Sequence, residues 1–195
     1  SRVRRMSCGG AGSTSAGGKL GVASIIVAGN DAGMGTAFLS QASNKKSLAL
    51  NLKTEAGRQV LRQLVQTADV LIENFKTGSL AKFGLDYASL AAANPGLVYC
   101  SITGFGQTGP RAHEAGYDFV VQGMSGFMSL TGEPEAHPVK MGISISDLST
   151  GVWAANGIQA ALLMRARTGR GQQVDISLMD SSVALLANQA SYYFT

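Results

Sequence analysis

Apolar residues fall in two rhythms along this chain. Short apolar runs bounded by turn residues read as buried strands: Asp69–Glu73 (DVLIE), Leu97–Thr103 (LVYCSIT) and Val174–Leu178. Leu48–Leu52 is a further strand candidate. Between these runs the apolar spacing becomes helical. Thr54 precedes Glu55 and the series Val60, Leu61, Leu64 and Val65, which predicts an N-capped amphipathic helix. Thr77–Phe83 reads as a short helix closed by Gly84, and Asp86 caps another that stops at Asn94-Pro95-Gly96. A glycine-rich loop, GFGQTGP, follows the second run, and a helix is expected from about Tyr117 to Met128. Asp147 or Ser149 should open a long apolar helix to about Arg167, stopped by Thr168-Gly169. Asp180 or Ser181 should start a last helix that is still running near Tyr193, so the chain reads as a piece of a longer one. Strands separated by helices of this length favour parallel βαβ units. Asp69–Glu73 and Leu97–Thr103 are expected to be neighbouring parallel strands.

The pattern fades toward the N-terminus. VASIIVA at 22–28 reads as a short buried strand and NDAGMG at 30–35 as a turn, but residues 1–21 are rich in Gly and Ser and nearly lack bulky apolar side chains. Too little apolar surface is available there to offset the entropy of ordering, so a flexible segment is expected. Its Arg and Ser content resembles a mitochondrial targeting segment, although so many glycines make a poor amphipathic helix. The expected organisation is a flexible segment at 1–30 and one α/β unit at 31–195.

Charge changes the picture only once it is located. The net charge is +4 over 195 residues, and Arg2, Arg4, Arg5 and Lys19 supply all of it. A nucleic-acid binder carries its basic charge on folded elements, so that class is excluded. No apolar run approaches the roughly 20 residues of a membrane-spanning helix. Cys8 and Cys100 alone make neither a disulfide framework nor a four-ligand zinc site. A cytoplasmic setting follows as the default.

Several chemical motifs are missing. GFGQTG lacks the third glycine of a dinucleotide fingerprint, and no Walker A, HExxH or GxSxG pattern occurs. His113 and His137 sit far apart in polar loops. What remains is Asp147, in GISISDLSTGVWAANGIQAALL. One reading makes it a helix N-cap that satisfies free backbone N–H groups. The other uses the same geometry: a carboxylate held at a helix N-terminus, among small neighbours, can attack an activated acyl carbon.

Longer stretches bear on that choice. NKKSLALNLKTEAGRQVL, ADVLIENFKTGSLAKFGLDY and NPGLVYCSITGFGQTGP occur in order. AGYDFVVQGMSGFMSLTGEP, ISDLSTGVWAANGIQAALL and TGRGQQVDISLMDSSVALL then continue the series. Together they resemble the class III CoA-transferase family, the CaiB/BaiF type, from about Phe38 to Tyr193. The resemblance implies a Rossmann-like parallel sheet with flanking helices, part of the large domain of such an enzyme. It implies transfer of coenzyme A from an acyl-CoA donor to a small carboxylic acid through aspartyl anhydride and aspartyl-CoA intermediates. Asp147 would be the nucleophile. Coenzyme A would be a substrate rather than a tightly bound cofactor, no metal would be needed, and the partner would be a second copy in an interlocked homodimer. The compartment would be the cytoplasm, or the mitochondrial matrix in a eukaryote.

The resemblance also assigns contacts with coenzyme A. Leu50, Asn51, Leu52 and Lys53 match the segment bordering the nucleotide, and Asn74 and Phe75 match the adenine side. Lys82 matches a basic phosphate-binding position. Ala115, Gly116, Tyr117 and Asp118 match the loop near the pantetheine thiol. Two departures stand out. Residues 1–30 lack the family's opening strand and loop, and the small second domain is absent. An acyl-CoA racemase of the same superfamily is the nearest alternative, but racemases carry a histidine where Tyr117 stands, and a phenol is a poor proton acceptor near neutrality. A non-catalytic remnant that only binds coenzyme A is the alternative of another class.

Overall fold

The computed structural model describes residues 44–195. The expectations for residues 1–21, for VASIIVA and for the turn at 30–35 lie outside the described residues. Helix α1 spans Glu55–Gln66 and leads through a short turn into strand β1, Val70–Glu73. A single 3-10 turn, Ala81–Phe83, and helix α2, Tyr87–Ala93, connect to β2, Val98–Thr103. Helix α3, Asp118–Ser125, another 3-10 turn, Phe127–Ser129, and the long α4, Ile145–Thr168, then cross to β3, Gln173–Ser177. Two short helices complete the chain, α5 at Leu178–Leu185 and α6 at Ala187–Phe194.

The three strands form one parallel sheet in the order β1-β2-β3. Val70 pairs with Val98 and Glu73 with Ser101, so the two expected neighbours are parallel as anticipated. Tyr99 pairs with Gln173 and Thr103 with Ser177 on the other side. The fold is thus α/β with a parallel sheet and flanking helices.

Strand alternation sends successive side chains to opposite faces. Leu71 and Tyr99 join Leu61 and Val65 of α1, Leu90 of α2, and Leu85 and Leu97 in one apolar cluster. On the opposite face, Cys100 and Ile102 meet Val121 of α3, Ala154 of α4 and Leu178 of α5, while Val70 and Val98 meet Ala161. Small residues at Ala154, Gly157 and Ala161 let α4 lie close to the sheet. A Cβ on Gly157 would come within 2.9 Å of the Val174 side chain.

Several boundaries differ from the sequence reading. Among the described residues Leu48–Leu52 pairs with no strand; its alternation reflects Leu50 and Leu52 packing against the α1 cluster. Thr77–Phe83 is a turn followed by one 3-10 turn, because Gly78 adopts φ +75° and interrupts any helix there. Gly126, at φ 99°, likewise ends α3 before Met128. The long helix begins at Ile145, ahead of both Asp147 and Ser149. The last helix begins at Leu178, capped by Ser177, and breaks at Leu186. Ser177 Oγ accepts from the Asp180 N–H at 2.9 Å and donates to the Asp180 carboxylate, a cap that the sequence reading placed too late.

Candidate active site

Helices that directly precede or follow a strand of this parallel sheet start at its carboxyl end, where open α/β folds bind their ligands. Three loops and one helix start meet that edge: residues 50–54 before α1, 74–75 after β1, 104–118 after β2, and the first turn of α4.

Asp147 occupies the third position of α4, not its cap. The N-cap is Ser144, whose side chain makes no capping bond. Asp118, at the first position of α3, supplies it instead: its Oδ1 accepts from the Ser146 N–H at 2.9 Å and the Asp147 N–H at 3.2 Å. The two readings of Asp147 therefore separate. Asp118 satisfies the amides of the helix start, and the Asp147 carboxylate is not used as the cap. Burial, and then the negative charge of Asp118, push the Asp147 carboxyl above the ordinary aspartate range.

The same turn is tied down from behind. Ser146 is buried, its hydroxyl 2.9 Å from that of Ser182 on α5, and its carbonyl accepts from Thr150 Oγ1 at 2.6 Å. The loop carrying Ala115, Gly116 and Tyr117 reaches the sheet through a backbone crossing. A Cβ on Gly104 would lie 2.4 Å from the Gly116 Cα, so both positions require glycine. Tyr117 is exposed and stacks with Phe119, ring centroids 6.4 Å apart.

The remaining sequence-predicted residues gather around α1. Asn51 Oδ1 accepts from the Lys53 N–H at 3.0 Å, and the Asn51 carbonyl accepts from the Thr54 hydroxyl at 2.8 Å. Arg58 donates to the carbonyls of Leu52 and Lys53, and its guanidinium lies 5.6 Å from the Phe83 ring centre, next to Lys82. Lys53 and Lys82 are both exposed. Phe75 packs against the α1 cluster, and its N–H donates to Glu73 Oε2 at 2.8 Å, so a buried-side carboxylate shapes the Asn74-Phe75 turn. Burial, the larger influence, with the nearby charge of Asp175, raises the Glu73 carboxyl; bonds from Ser101 and Phe75 oppose this.

Four residues escaped the sequence reading. Glu73, Ser101 and Asp175 share one rung of the sheet. Asp175 Oδ2 accepts from the Gln107 N–H at 2.9 Å and so pins the glycine-rich loop. Gln122, wholly buried, donates to Asp118 Oδ2 at 2.6 Å. The four-residue spacing of Asp118 and Gln122 on a predicted helix was the available signal. No group of three or more His, Cys, Asp or Glu side chains is arranged to hold a metal among the described residues. No helix among them is long and apolar enough to cross a membrane.

The model of CoA-transferase family III matches residues 24–195, and the chain belongs to that family. The match starts within the segment 1–30 that the sequence reading set apart. Succinate–glutarate CoA-transferase of Agrobacterium fabrum is 56% identical over 149 residues, covering 76% of this chain and 37% of that protein. Succinyl-CoA:glutarate CoA-transferase of Mus musculus is 44% identical, covering 81% of this chain and 36% of its own. Acetyl-CoA:oxalate CoA-transferase of Acetobacter aceti is 48% identical, covering 73% and 37%. A crystal structure of a CaiB/BaiF family protein from Brucella suis superposes with a TM-score of 0.75 at 56% identity, over 77% of this chain and 40% of that one. The chain thus spans well under half the length of these relatives.

Proposed function

We infer that this chain takes part in transferring coenzyme A from an acyl-CoA to a carboxylic acid, with Asp147 as the nucleophile. The observation that carries the reading is the division of labour at the start of α4. Asp118 occupies the helix amides, which leaves the Asp147 carboxylate for chemistry.

In this mechanism an oxygen of ionised Asp147 attacks the thioester carbonyl carbon. The C–S bond breaks, coenzyme A leaves as its thiolate, and an acyl-aspartyl anhydride forms. The thiolate then attacks the aspartyl carbonyl, which releases the donor acid and leaves an aspartyl-CoA thioester. The acceptor carboxylate attacks that thioester, giving a second anhydride and free thiolate. Attack of thiolate on the acceptor's acyl carbon forms the product thioester and regenerates Asp147. Each intermediate preserves the activation of the acyl group, so the exchange needs no further energy source.

Exposed ammonium groups at Lys53 and Lys82 would pair with the phosphates, with Leu50, Asn51 and Leu52 lining the approach. Asn74 and Phe75 would meet the adenine, and Ala115, Gly116 and Tyr117 the pantetheine end. Succinyl-CoA as donor and a small dicarboxylate as acceptor are supported by the names of the relatives above. A homodimer is supported by the exposed apolar side chains of α4, including Val152, Leu163 and Met164. The setting would be cytoplasm or mitochondrial matrix, where acyl-CoA is available.

The test is trapping. The chain, incubated with succinyl-CoA and hydroxylamine, should acquire a hydroxamate at Asp147, read by peptide mass spectrometry. Asp147→Asn should fold and lose the adduct. Unchanged transfer in Asp147→Asn, with no deamidation to Asp, would refute the assignment.

A further inference from the structure

We propose that Gln122 is a positioning residue that locks Asp118, and through it the first turn of α4, in place for Asp147; this role rests on the reading of Asp147 as nucleophile. Gln122 is fully buried, and every polar atom of its side chain is used. Nε2 donates to Asp118 Oδ2 at 2.6 Å and to the Ile143 carbonyl at 3.3 Å, and Oε1 accepts from the Met141 N–H at 2.9 Å. One amide thus joins α3, the segment leading into α4, and the carboxylate that caps α4.

The polarity of that amide is dictated by its partners. Asp118 Oδ2 and the Ile143 carbonyl only accept, whereas the Met141 N–H only donates. Reversing the amide would set its oxygen against a carboxylate and its NH₂ against an N–H. With Gln122 holding Oδ2, the other oxygen of Asp118 stays aimed at the Ser146 and Asp147 amides. A side chain of equal length without hydrogen bonds would fill the space but free Asp118 to turn. The Asp147 carboxyl would then lose its fixed backbone, and misplacement on the order of 1 Å at a reacting group costs up to about 100-fold in rate.

Two readouts on the 195-residue chain test this. The first is local and independent of catalysis. In Gln122→Met, the amide protons of Ser146 and Asp147 should move upfield in a ¹⁵N-resolved spectrum as their bonds to Asp118 loosen. Asp118→Asn approaches the clamp from the other side with Gln122 intact. It places an NH₂ or a less basic oxygen against Gln122 Nε2, so the Met141 amide should move although no atom near it has changed. Should Gln122→Met fail to fold, the Asp118→Asn measurement decides alone. Unmoved Ser146 and Asp147 amides in folded Gln122→Met, or an unmoved Met141 amide in Asp118→Asn, would overturn the proposal.

The second readout is the rate of hydroxylamine-trapped acylation at Asp147 by succinyl-CoA, measured beside the affinity for coenzyme A. Gln122→Met should slow acylation ten- to hundredfold with affinity retained. In an Asp118→Ala background the same substitution should add nothing further. Additive losses in that cycle would mean that Gln122 acts on packing alone. If the unsubstituted chain gives no adduct, the nucleophile reading fails, while the amide shifts still decide the clamp.

Discussion

Helices α1 and α4 begin in opposite ways. At α1 the cap is local: Thr54 Oγ1 accepts from the Gly57 N–H three residues on, at 3.2 Å. Gly57 is required there, because a Cβ would lie 2.2 Å from the Asn51 carbonyl oxygen. At α4 the adjacent Ser144 makes no capping bond, and Asp118 from another helix takes its place. A local cap closes a helix and leaves nothing over. A borrowed cap lets the first turn hold a second carboxylate, at the cost of two like charges near one another. Helix α1 is thus built for stability, while the start of α4 gives up some stability to keep Asp147 unspent.

Removing the borrowed cap should have the largest effect on stability. Asp118→Ala leaves the Ser146 and Asp147 amides and the buried Gln122 amide without their charged partner, an expected loss of about 2 kcal/mol in denaturant unfolding. Relief of the repulsion on Asp147 offsets part of this. Equal stability of Asp118→Ala and the parent would erase the contrast between the two helix starts.

Thr54→Ala should cost about 1 kcal/mol by the same measurement, and Thr54→Ser much less, since the hydroxyl alone makes the cap. Acylation at Asp147 under saturating succinyl-CoA should be unchanged, because the α1 start is tied to Asn51 and Arg58 rather than to α4, and any effect should fall on the affinity for coenzyme A. A Thr54→Ala loss larger than that of Asp118→Ala would reverse the comparison.

The smallest effect is a pH slope. Burial and Asp118 raise the Asp147 carboxyl, so the folded chain binds this proton more tightly than the unfolded chain does. Its contribution therefore makes stability fall as pH rises from the ordinary aspartate value through the raised one, and level off above it. Acylation should rise over the same window, as the nucleophile ionises. Asp147→Asn removes this slope, so its thermal midpoint should gain on the parent between acidic and neutral pH. A gain that shrinks as pH rises would mean the helix dipole outweighs Asp118 at this position.

What the sequence determined is what depends on nearby residues. Short apolar runs bounded by turn residues marked β1, β2 and β3, and the spacing of Leu61, Leu64 and Val65 behind Thr54 marked α1. The ordered motifs from Asn44 to Leu186 pointed to the family, and Asp147 stood out in the stretch that opens the long helix. Leu48–Leu52 carried the same alternation but pairs with no strand among the described residues, since alternation reports a buried face and not a hydrogen-bonded neighbour. What caps α4 was fixed by the packing of α3 against it. The bonds from Ser146 and Asp147 to Asp118 span 28 and 29 residues, and those from Gln122 reach Met141 and Ile143. Such contacts exist only after the sheet has brought α3 and α4 together. A hydrogen bond depends on distance and direction in space, and chain spacing fixes these only within a turn or two of helix.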